Sequence, residues 1–134
     1  MPGPILWTNL LFIAIGGALG ANARYLLALW AVGRFGADFP YGTLLANASG
    51  SLALGFLLSL TTERLPLSPE MRLFLTVGFL SSFTTFSSYT VESLNLGRAF
   101  GIWPGLLNVL GNNLAAFAAA MLGMALAHWL QSGG

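Results

Sequence analysis

Gly78-Phe79-Leu80-Ser81-Ser82-Phe83-Thr84-Thr85-Phe86-Ser87-Ser88-Tyr89 sits inside a segment, Leu73 to Val91, that has no charged residue and is long enough to cross a bilayer. From Ser81 to Thr90, eight of ten residues nonetheless bear a hydroxyl, and the other two, Phe83 and Phe86, are aromatic. Contact with lipid does not select such a composition. Ser and Thr side chains bond nearby backbone in competition with the helix ladder, so a dense run of them favours a local break. At membrane depth, broken backbone persists only where protein buries it or where it lines an aqueous path. The stretch therefore reads as a helix break at the heart of an ion pathway. The plainer alternative is that its hydroxyls knit neighbouring helices together, as in many membrane bundles.

The surrounding composition fixes the solvent. The chain has 134 residues, which suits one domain spanning 1–134. It is 56% hydrophobic and only 7% charged, against about 25% charged in soluble domains, so it reads as an integral membrane protein. There is no lysine; the basic residues are Arg24, Arg34, Arg64, Arg72 and Arg98, and the acidic ones Asp38, Glu63, Glu70 and Glu92. A net charge of +1 without a clustered basic face excludes a nucleic-acid partner. The absence of cysteine excludes disulfides, thiolate chemistry and sulfur-ligated zinc. No nucleophile–base pair, metal cluster or phosphate loop is present, so the chain is not read as an enzyme.

Four charge-poor segments predict an all-α protein of four transmembrane helices. The first runs from Ile5 or Leu6 to about Val32. It lacks Lys or Arg ahead of its apolar run and is read as a retained helix rather than a signal peptide. Gly16 and Gly20 form a GxxxG pair suited to close helix approach, followed by Asn22 and Arg24. Arg24 falls near the far membrane face, where it either snorkels to headgroups or lends positive potential to a pore mouth. A polar linker, Gly33 to Pro40, leads to helix 2, about Thr43 to Leu60. There Thr43, Asn47, Ser51, Gly55 and Ser59 recur every four residues and share one face. Asn47 either bonds another helix or offers its two amide N–H groups to an anion.

Glu63 to Arg72 reads as a solvated turn, and helix 3 follows to about Leu96, broken near Ser81 to Phe86 at mid-membrane. A third linker, Gly97 to Trp103, precedes helix 4, about Pro104 to Trp129, with Pro104 in its first turn. Asn108 and Asn112 repeat the four-residue polar spacing there. With an even helix count, Arg64 and Arg72 lie on one side of the membrane and Arg34 and Arg98 on the other. Orientation normally follows an arginine and lysine excess on the cytoplasmic side, and here the count is tied. The chain is thus permitted to insert both ways and pair as an antiparallel dimer; four helices hardly enclose a pathway alone.

Three motifs now carry a resemblance. Gly16-Gly17-Ala18-Leu19-Gly20-Ala21-Asn22-Ala23-Arg24-Tyr25 resembles the GGxxGAxxRY signature of the CrcB, or Fluc, fluoride channels. Gly42-Thr43-Leu44-Leu45-Ala46-Asn47-Ala48-Ser49-Gly50 resembles their GTLxxNxxG segment, and Gly78 to Tyr89 their GFxGGxTTFSTF core. The resemblance implies an antiparallel, dual-topology homodimer in the bacterial plasma (inner) membrane. Its two pores would carry fluoride passively out of the cell, around a structural sodium ion (Na+) on the two-fold axis. It makes Phe86 the first ring of a phenylalanine box, with Tyr89 standing where a second phenylalanine is usual. It further implies Asn47 as pore asparagine, Thr43 as a polar-track hydroxyl, Arg24 as vestibule arginine and Asn112 as a pore-lining group. The sodium would be held by the backbone carbonyls of Ser81 and Thr84. Ser81-Ser82 departs from the usual Gly-Gly, and Tyr89 adds a hydroxyl to the box.

The chemistry agrees with that implication. Fluoride is small and strongly hydrated, so a pore must replace its water with donors such as the Asn47 amide and the hydroxyls of Thr43, Ser87 and Ser88. Aromatic rings have a positive edge, which Phe86 and Tyr89 can turn toward an anion; ordinary lipid or core packing is their alternative. Two rival functions remain to be set against this one. A small proton-coupled multidrug exporter needs a membrane-embedded carboxylate, and Glu92, late in helix 3, is the sole candidate. A structural membrane subunit needs no polar break at all.

Overall fold

A computed structural model describes residues 4, 6–60 and 64–133; Ile5 and Glu63, which figure in the expected helix 1 and second linker, lie outside these. The described residues contain helices and no strand. Helix α1 spans Trp7–Phe35, α2 Tyr41–Ser59, and α3 three continuous segments: Pro69–Leu73, a π-helical stretch Phe74–Leu80, and the turn Ser81–Phe83. After an interruption, α4 spans Ser87–Phe100 and α5 Ile102–Ser132. Three of these, α1, α2 and α5, are individually long and apolar enough to cross a membrane, so the chain is a multi-pass membrane protein. The expected third crossing is divided between α3 and α4.

The helix ends differ from the sequence expectation for local reasons. Gly33 and Arg34 belong to α1, which stops at Gly36, where φ is +88° and ψ 177°. That backbone conformation is essentially open to glycine alone, whereas Gly33 sits in an ordinary helical one. The expected linker Gly97 to Trp103 shrinks to Gly101, at φ +96°, between Phe100 and Ile102. Pro104 is then the third residue of α5, still in its first turn, where the missing N–H has no helical partner to lose. Glu70 and Arg72 are helical rather than part of a turn. Ser68 caps α3 by accepting from Met71 N–H at 3.1 Å, with Pro69 opening the helix.

The helices pack in the neighbour order α3, α1, α2, α5, α4. Small residues set the contacts. Gly16 and Gly20 of α1 meet the backbone of Phe74, Gly78 and Phe79, and Gly123 of α5 meets Leu52 and Phe56 of α2. Most large apolar side chains face outward; only 11% of the most apolar window of α1 is buried. That inversion suits lipid as the solvent. All four tryptophans, Trp7, Trp30, Trp103 and Trp129, are more than half exposed. They stand toward the two ends of α1 and of α5, where amphipathic rings favour the membrane–water boundary.

Candidate functional site

The interruption between α3 and α4 is three residues, Thr84 to Phe86, inside the range the hydroxyl run predicts. Thr84 is extended at φ −83° and ψ 156°, which throws the next peptide out of the helix ladder. Its polar groups are taken up from α2. Asn47 Oδ1 accepts from Thr85 N–H at 2.7 Å, while Asn47 Nδ2 donates to the Thr85 carbonyl at 2.9 Å. The side chain thus pairs with one peptide in both directions, as a strand neighbour would. An unpaired buried peptide is costly, and this pairing is what holds the break open.

Asn47 is also the end of a longer chain. Its second Nδ2 hydrogen goes to Asn112 Oδ1 at 2.9 Å; Asn112 Nδ2 donates to Asn108 Oδ1 at 2.9 Å and to the Asn108 carbonyl at 3.0 Å. Asn108, with no exposed surface, donates to Ser93 Oγ at 2.9 Å, and Ser93 donates to the Tyr89 carbonyl at 2.6 Å. One connected network therefore ties α2 and α5 to the break itself and to α4 beyond it. The two amide hydrogens of Asn47 that the sequence offers to an anion are in this structure bonded to protein.

Beside the network lies an open cavity of about 300 Å³, lined by Phe86, Tyr89, Asn47, Asn112, Ser81 and Thr84 among others. The Phe86 and Tyr89 rings meet edge to face, 80° apart with centroids at 4.9 Å; Phe86 is 72% exposed and Tyr89 8%. The polar, broken segment and the aromatic pair thus share one wall. Thr43 stands apart. Its hydroxyl donates to Glu92 Oε1 at 2.8 Å, and both residues line a second cavity of about 350 Å³ near Asp38, Phe39 and Phe100. Glu92 Oε2 is buried without a partner among the described residues.

Ser87 and Ser88 line neither cavity. Thr85 Oγ1 accepts from Ser88 N–H at 3.2 Å and donates to Ser88 Oγ at 3.1 Å, so these hydroxyls help start α4. Arg24 lines neither cavity as well; half-buried, it donates from Nε to the Ser82 carbonyl at 3.1 Å, on the α3 side of the break. Sequence reasoning left Asn108, Asn113 and the Thr85 peptide without roles. The four-residue spacing of Asn108 and Asn112 was the available signal for the first; the pairing of Thr85 with Asn47 spans 38 positions and has none.

Residues 11–124 match the family described as CrcB-like protein, Camphor Resistance (CrcB). A fluoride-specific ion channel FluC of Solibacter usitatus (strain Ellin6076) is 48% identical over 117 residues, covering 87% of this chain and 96% of the relative. That of Roseiflexus sp. (strain RS-1) is 46% identical over 123 residues, covering 91% and 98%. That of Chloroflexus aurantiacus (strain ATCC 29366 / DSM 635 / J-10-fl) is 42% identical over 121 residues, covering 90% and 96%.

Proposed function

The chain belongs to the CrcB-like family, and from that membership we propose that it is a fluoride-selective channel, not an enzyme, which exports cytoplasmic fluoride passively. The observation that carries the reading is the break of Thr84 to Phe86, polar and propped open by Asn47 beside an aromatic-walled cavity. Near-full-length relatives named for fluoride-specific channels support the ion. Phe86, Tyr89, Asn47, Asn112, Thr43, Ser87 and Ser88 would serve the pathway, with Arg24 at its vestibule. The channel would be one domain whose third crossing is broken at mid-membrane. It would work as an antiparallel, dual-topology homodimer with two pores in the bacterial inner membrane. The tied arginine count permits that arrangement, and the outward apolar faces offer surface for both lipid and a second copy.

A central sodium ion fits the backbone here. The N–H four residues beyond Ser81 belongs to Thr85 and goes to Asn47; the one four beyond Thr84 belongs to Ser88 and goes to Thr85 Oγ1. Both carbonyls are thereby released from the helical ladder and, as neutral oxygens, suit a hard cation. The ion would supply positive potential that offsets the cost of an anion at membrane depth. Because carbonyls would hold it, serine in place of glycine at position 81 would leave the ligand intact. Exchanging Na+ for N-methylglucamine on both sides of the membrane should then lower fluoride flux at least about tenfold, reversibly, and Ser81→Ala should keep that dependence.

The direct test is fluoride efflux from liposomes holding only the purified protein, read with a fluoride electrode and repeated with chloride. Fast fluoride release with little chloride release, and no need for a proton gradient, is expected. Efflux that requires a proton gradient would point instead to the exporter and to Glu92.

A further inference from the structure

We propose that Tyr89 offers the permeating anion its phenolic proton as well as its ring edge, and that Asn113 is the positioning residue that turns the proton there. The inference rests on the fluoride reading above. A tyrosine hydroxyl has one proton to donate and lone pairs that accept. Asn113 Nδ2 donates to Tyr89 Oη at 3.2 Å, and its other hydrogen goes to the Val109 carbonyl at 2.7 Å. Oη is therefore the acceptor in this contact, and the Tyr89 proton must point elsewhere. No acceptor among the described residues takes it. Tyr89 is only 8% exposed, and it lines the 300 Å³ cavity together with Asn113.

Apart from the Ser51 hydroxyl, the polar side chains that share that cavity with Tyr89 and Asn113 are engaged. Asn47 and Asn112 spend their amide hydrogens on the network. The hydroxyls of Ser81 and Thr84 donate to the Thr76 and Leu80 carbonyls, and that of Thr85 to Ser88. That leaves two hydroxyls among the cavity's lining residues whose protons have no acceptor among the described residues, Tyr89 and, on α2, Ser51. An uncommitted O–H at the wall of a cavity is suited to a small, strongly accepting anion, and a hydrogen bond to a charged partner is among the stronger ones. The substitution of tyrosine for the usual phenylalanine thus gives this chain a donor inside its aromatic pair.

The test is Tyr89→Phe, Asn113→Leu and the double variant, each checked for the same size-exclusion profile as the parent and assayed by liposome efflux. Tyr89→Phe removes one oxygen and restores the ring usual at this position, so folding is not at stake. Fluoride efflux should fall about tenfold in Tyr89→Phe. Asn113→Leu should cost several-fold beside Tyr89 and nothing further beside Phe at that position, since its action runs through the hydroxyl. A merely structural Asn113 would cost the same in both backgrounds, and that result would overturn its role. Parent and Tyr89→Phe proteins with equal efflux would overturn the donor. A parent that passes no fluoride at all would instead overturn the channel reading on which both rest.

Discussion

Asn47→Ala silences fluoride efflux, with a loss of at least about a hundredfold in liposomes carrying the folded protein. The size follows from what the side chain holds. Its removal leaves Thr85 N–H, the Thr85 carbonyl and Asn112 Oδ1 without their partners. A buried polar group left unpaired costs about 1–3 kcal/mol, and about 1.4 kcal/mol is a factor of ten in an equilibrium. Two or three such groups are enough to displace the break from its present conformation, so the cavity wall is lost even though α2 itself keeps its helix. Ser49→Ala, on the same helix, is the control. The Ser49 hydroxyl bonds the Leu45 carbonyl of its own turn at 2.6 Å and touches neither the break nor the network. Its efflux should stay within about twofold of the parent, since surface substitutions of this kind shift stability little. If Asn47→Ala retained a tenth or more of the parent rate, the pairing of Asn47 with Thr85 would not be what keeps the pathway formed.

Much of this site was legible because chemistry and location conflict in the sequence. Hydroxyls packed into a charge-free segment cannot all be lipid-facing, and that alone located the break within a few residues of Thr84 to Phe86. The four-residue stripe of α2 likewise put Thr43 and Asn47 on one inward face, where both are buried. What the stripe concealed is that the two serve different cavities, Asn47 at the break and Thr43 with Glu92. Spacing along one helix orders side chains by face; their partners come from other helices and leave no trace in that spacing. The helix ends were misjudged for a related reason. Gly33, Gly36, Gly97 and Gly101 are alike as letters, and only Gly36 and Gly101 take a positive φ. Asn113 was passed over because one asparagine next to another suggests no face; its value arises from the Tyr89 hydroxyl, 24 positions away.

Gly20→Val should strongly destabilise the folded, monodisperse protein. A Cβ at Gly20 would run into the carbonyl and Cα of Phe79, backbone atoms that no rotamer change can move aside. Overpacking of a close contact costs about 1–3 kcal/mol where side chains can yield, and more where the obstacle is main chain. The contact also lies four residues before Arg24, whose guanidinium meets the Ser82 carbonyl, three residues beyond Phe79. Pushing α1 away from α3 therefore withdraws Arg24 from the break, coupling a packing defect to the site. Gly33→Ala separates this from a general intolerance of glycine replacement in α1. No atom lies within 4 Å of a Cβ there, and alanine is preferred over glycine inside a helix by about 0.5–1 kcal/mol. Thermal unfolding in detergent, followed by the loss of the size-exclusion peak, should place Gly33→Ala at or above the parent and Gly20→Val well below it. Equal midpoints for the two would mean that α1 and α3 do not approach backbone to backbone. Arg24 would then owe its position to something other than the glycine contact, and the link from GxxxG packing to the break would fail.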